Sequence, residues 1–146
     1  MKGTPPFEYL EHTADIYVAA YGSSLEECFA NAALALFEVM TEVEKIRPIL
    51  SQDFTVEGID KEGLLYSWLE ALLVSFETTE NLFSSFIIHE IKATPEGLSL
   101  RATAYGEPFD PKRHPQKVAV KGITYHRMEI LEDDKGFVTA KFILDI

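Results

Sequence analysis

The chain has 146 residues and carries 24 acidic against 13 basic side chains, a formal net charge of -11. An apolar share of 47% suits a globular domain, and a chain of this size buries about 70% of the surface its unfolded form exposes. The single Cys28 excludes an internal disulfide and a zinc site built on cysteine pairs, while the acidic balance excludes a free-standing nucleic-acid binder. No apolar run reaches the roughly 18 residues of a membrane helix. Met1-Lys2-Gly3-Thr4-Pro5-Pro6 lacks the apolar stretch of a secretory signal, so the expected location is the cytoplasm.

Phe7–His12 and Asp15–Tyr21, rich in aromatic and β-branched residues, read as two strands. Ser23 or Ser24 then caps a helix, each with a glutamate three residues on. Leu25, Cys28, Phe29, Ala32, Leu36, Phe37 and Met40 form one apolar stripe along that helix, which must end before Pro48. Cys28 lies on this stripe and reads as a core residue. A short strand, Asp53–Glu57, precedes Asp60, the cap of a second helix whose inner face carries Leu64, Leu65, Trp68, Leu69, Leu72, Leu73 and Phe76.

Past Asn81 the pattern changes to period two. Phe86–Ile91 and Leu98–Tyr105 form a hairpin about Thr94-Pro95-Glu96-Gly97. A proline-rich loop, Gly106–Gln116, leads to two last strands at about 118–131 and 137–144. The fold class is α+β: antiparallel sheets with two helices, in the chain order β-β-α-β-α-β-β-β-β, forming one domain over 1–146.

The sequence holds no glycine-rich phosphate loop, no Gly-x-Ser-x-Gly elbow and no His-Glu-x-x-His helix. Two places could carry chemistry. One is His12-Thr13-Ala14-Asp15, a polar run between strands. The other is Asp145-Ile146, which offers a side-chain and a main-chain carboxylate together. If the last strand lies beside the one beginning at Asp15, three carboxylates converge, and a hard divalent cation would relieve their repulsion. The alternative is that Asp15 caps a turn and the terminus frays. His12 and His126 could be ligands, bases or hydrogen-bonded strand residues. Lys121 could reach solvent or supply a cation, and Gly122 in the same run suggests a bulge or a close backbone approach. Residues 101–127 hold six bases against two acids, a basic stretch on an acidic body that suits one charged partner.

Glu11-His12-Thr13-Ala14-Asp15-Ile16, Lys121-Gly122-Ile123-Thr124-Tyr125-His126 and the closing Asp145-Ile146, in this order and at this length, resemble the archease family. Gly122 stands where alanine is expected of the family. The resemblance implies an accessory protein rather than an enzyme: an activator of the RtcB-type tRNA-splicing RNA ligase that promotes its guanylylation and multiple turnover. It further implies a divalent metal on Asp15, Asp145 and the main-chain carboxylate of Ile146, calcium in a crystal and Mn²⁺ or Mg²⁺ as alternatives. Lys121, with His12 and His126, would contact phosphate or the ligase. The ligase is then the partner, tRNA is reached only indirectly, and no membrane is involved. The basic stretch around Lys112–Lys121 is a candidate ligase-facing surface. Two other functions compete: a metal-dependent hydrolase of phosphate esters, and a chaperone-like modulator of RNA-processing enzymes.

Overall fold

The computed structural model describes residues 3–12 and 14–146, the side chains of Glu11 and His12 excepted. Among the described residues the elements are β1 (Phe7–His12), β2 (Asp15–Gly22), α1 (Leu25–Met40), a 3-10 turn (Val43–Lys45), β3 (Leu50–Gly58), α2 (Lys61–Thr79), β4 (Asn81–Thr94), β5 (Gly97–Pro108), β6 (Gly122–Glu132) and β7 (Val138–Asp145). They form a four-stranded sheet, β1-β2-β7-β6, and a three-stranded sheet, β3-β5-β4. Every pairing is antiparallel, and for β1-β2, β4-β5 and β6-β7 the tight turns require it. None of the described helices is long and apolar enough to cross a membrane.

Both helices start where side-chain oxygens can replace missing backbone partners. Ser24 accepts from the Glu27 amide at 3.0 Å, and Asp60 accepts from the Gly63 amide at 2.7 Å. Each helix packs against strands of both sheets, α1 on β2 and β4, α2 on β3 and β6, so one apolar cluster joins the two sheets. Phe37, Phe54, Trp68 and Phe83 form its aromatic centre, with edge-to-face contacts at 5.7–6.0 Å between ring centroids. Trp68 is wholly buried, and its indole N–H reaches the Phe29 carbonyl at 3.0 Å. Cys28 is buried too, and burial pushes its thiol up to about 12, which keeps it inert.

The structure corrects several expectations. β3 runs from Leu50 to Gly58, and β4 and β5 extend to Asn81 and Pro108, beyond the stretches that alternation marked. Residues 118–121 are not strand. There the Lys117 and Val118 amides cap the Met40 and Val39 carbonyls at the end of α1, at 3.1 and 3.2 Å, taking the hydrogen bonds a strand would have used. Gly122 is neither a bulge nor a close approach, since a Cβ there would meet nothing within 4 Å. The bulge in β6 comes later, between Thr124 and Glu129.

Candidate functional site

β2 begins at Asp15 and β7 ends at Asp145, and their register sets these residues directly opposite each other, with Ile16 opposite Leu144. Gly122, the first residue of β6, is opposite Asp145 on the other side of β7. Directly opposite residues share a sheet face, with Cβ atoms about 4.5–5.5 Å apart. Because Ile16, Ile123 and Leu144 are buried, the neighbouring positions point outward, and both aspartates are exposed. With no side chain on Gly122, the space beside Asp145 stays open.

The end of the sequence is held in place. The Lys121 amide donates to the Asp145 carbonyl at 2.7 Å, and the half-buried Ile146 packs against the core cluster. Lys121 itself is exposed. Among the described residues neither Asp15 nor Asp145 has a cationic side chain within 4.0 Å. Nor do three His, Cys, Asp or Glu side chains gather at metal-holding spacing among those residues. The candidate donor set is the two side-chain carboxylates together with the main-chain oxygen of Ile146, the residue after Asp145. Hard, negative and open to solvent, it fits Ca²⁺, Mg²⁺ or Mn²⁺ better than a thiophilic metal.

In β6, Thr124 pairs with Ile143 and Glu129 with Lys141, so Tyr125, His126, Arg127 and Met128 together face the single Phe142. Arg127 adopts φ 63°, a strained conformation for a non-glycine residue, and its guanidinium lies 4.4 Å from the centre of the Tyr17 ring. Tyr17 is two residues from Asp15 on the same face of the sheet. Tyr125 packs on Tyr66 of α2 with ring centroids 5.9 Å apart, and the exposed His126 sits between these two anchors. His12 pairs with Ile16 through its backbone. Its side chain and Thr13 lie outside the described residues.

Much of the basic stretch is engaged within the molecule. Lys117 holds Glu38 at 2.9 Å, Arg113 lies 3.7 Å from Glu107, and Arg127 covers Tyr17. Sequence reasoning missed what Glu107 does. This carboxylate, 3% exposed, binds the Arg47 guanidinium at 2.9 Å and the Arg47 amide at 2.7 Å. Wholly buried His114 accepts the Asp110 amide at Nδ1, so its Nε2–H donates to Glu107 at 3.0 Å and the neutral ring suffices. Burial drives the Glu107 carboxyl up, but the Arg47 amide, the guanidinium and His114 together outweigh it and hold the group at about 2. It is a structural pin between the loops flanking β3 and β5.

Two sheets bridged by two helices, with a cross-strand carboxylate pair that meets no cationic side chain among the described residues, define a small α+β protein with an open oxyanionic tip. The sequence pattern of the Archease protein family (MTH1598/TM1083) matches residues 7–146, and the chain belongs to this family. It is 43% identical over 140 residues to Protein archease of Sulfurisphaera tokodaii, which covers 96% of this chain and 98% of that one. To Protein archease of Pyrococcus abyssi it is 44% identical with the same coverage. The solution structure of Methanobacterium thermoautotrophicum protein 1598 superposes with a TM-score of 0.84 at 41% identity, covering 97% of this chain and 99% of that one.

Proposed function

We propose that this chain activates an RtcB-type tRNA-splicing RNA ligase, promoting guanylylation of the ligase and its multiple turnover, and that its acidic tip carries a divalent cation in that task. The cross-strand pairing of Asp15 with Asp145 in a member of the archease family is the observation that supports this reading most. Asp15, Asp145 and the Ile146 main-chain carboxylate would hold the ion, which when bound supplies positive charge for arranging phosphate oxygens. The chain's own residues aim that tip. The β2–β7 ladder fixes the two carboxylates on one face, and the Lys121 amide fixes the Asp145 backbone. The side chains of Lys121 and His126, both exposed, are available to phosphate or to acidic groups of the ligase, and His12 belongs to the same motif. tRNA is engaged through the ligase rather than by this acidic chain, in the cytoplasm.

The test is ligase guanylylation and RNA joining at limiting ligase, with wild type, Asp15→Asn and Asp145→Asn proteins of verified fold. Loss of stimulation in both variants is expected. Undiminished stimulation would remove the carboxylate tip from the function, and hydrolysis of phosphate esters by the chain alone with Mn²⁺ would replace activation by enzymatic activity.

A further inference from the structure

On the outward face of the three-stranded sheet, one side chain from each strand joins a hydrogen-bonded chain. Thr103 Oγ1 on β5 donates to Asp53 Oδ1 on β3 at 2.7 Å, and His89 Nε2 on β4 lies 2.7 Å from the same hydroxyl. Counting protons fixes the roles. An ionised Asp53 only accepts, so the single hydroxyl proton of Thr103 is committed to it. Thr103 must then accept from His89, and Nε2 carries the proton. Nδ1 remains as the ring's other polar atom, with no hydrogen bond among the described residues. Such an arrangement orients an imidazole.

His89 owes its place to a register shift between Ile88 and Glu90, where it is the extra residue of β4 with no partner on β5. Arg101, two residues before Thr103 on the same face of β5, borders the same 280 Å³ cavity as Asp53, Thr55 and His89. It has no carboxylate within 4.0 Å among the described residues, and Glu90, opposite it in the ladder, lies 3.9 Å from Lys92 instead. A guanidinium without a carboxylate partner, beside an imidazole backed by a carboxylate, is an unusual use of cations in a chain of net charge -11. Ile87, 47% exposed and opposite Thr103, adds an apolar shelf on this face.

We propose that this cavity binds an organic phosphomonoester, its phosphate held by the Arg101 fork and hydrogen-bonded to Nδ1 of His89 through one shared proton, its organic part lying on Ile87. The Arg fork matches phosphate oxygens in pairs. Asp53, acting through the Thr103 hydroxyl, orients the imidazole ring that makes the second contact. The site lies on the sheet that does not carry Asp15 and Asp145, so it stands independently of the activator reading.

The experiment titrates the isotope-labelled chain with phenyl phosphate and with inorganic phosphate at constant ionic strength, following the His89 ring and Arg101 guanidinium resonances. Saturable shifts at both side chains are expected, with phenyl phosphate binding several-fold more tightly. Arg101→Gln should weaken binding at least about tenfold, and Thr103→Val, with an unchanged amide spectrum, about threefold or more. Should Thr103→Val fail to fold, His89→Gln provides the same comparison. Unmoved His89 and Arg101 resonances, or affinity unchanged in Arg101→Gln, would overturn the site and leave a polar network that only stabilises the sheet. Equal affinity for the two phosphates would overturn the assignment to an organic ester.

Discussion

Asp15 and Asp145, separated by nearly the whole chain, are direct cross-strand partners on the exposed face of one sheet. Like charges placed directly opposite destabilise a strand pair by about 0.2–1 kcal/mol. Asp145→Asn should therefore raise stability by about 0.5 kcal/mol in metal-free buffer. Adding Mn²⁺ should stabilise the wild type and leave the variant unchanged. Urea unfolding with and without the ion checks both signs.

Glu107 makes stability depend on acid. Its folded carboxyl sits at about 2 against an ordinary 4.5, so its contribution is complete above pH 4.5 and disappears as pH falls toward 2. Unfolding midpoints of wild type and Glu107→Gln should differ most near neutral pH and converge as pH falls through this window.

Two glycines should respond oppositely to alanine. At Gly122 a Cβ meets open space and the backbone is not left-handed, so Gly122→Ala should be neutral or stabilising by about 0.5 kcal/mol. At Gly106 a Cβ would collide with the Leu82 carbonyl oxygen between two paired strands. Gly106→Ala should cost about 3 kcal/mol or more, or abolish folding. Thermal melts of the two variants decide this.

Thr41, at the end of α1, is 1% exposed, and its hydroxyl oxygen has no hydrogen-bond partner among the described residues. Valine has the same shape without the hydroxyl. Thr41→Val is expected to stabilise the fold by about 1 kcal/mol, readable as a higher urea midpoint at unchanged slope.

Local signals were legible in the sequence where one element decides its own form. The stripe from Cys28 to Met40, the caps at Ser24 and Asp60 and the turn at Pro95-Glu96 needed no knowledge of distant residues. Val118–Lys121 reads as strand by composition, yet the open carbonyls at the end of α1 claim the Lys117 and Val118 amides where that stretch begins, and no local pattern announces that. Asn81–Ser85 joins β4 only because β5 lies alongside to pair with it. At the candidate site the motifs could be seen, whereas their meeting depends on β2 pairing with β7 across some 130 positions. Asp53, His89 and Thr103 were invisible for the same reason, since no spacing links them and only the register of three strands does.

Two facing aspartates and the carboxylate of Ile146 are proposed to hold one divalent ion. Calorimetric titration of Mn²⁺ into the wild type, into Asp15→Asn and into a chain extended by one glycine after Ile146 decides the matter. A single site is expected in the wild type, lost in Asp15→Asn and at least about tenfold weaker in the extended chain, with all three equally folded. Equal binding by all three proteins, or no binding by the wild type, would contradict it.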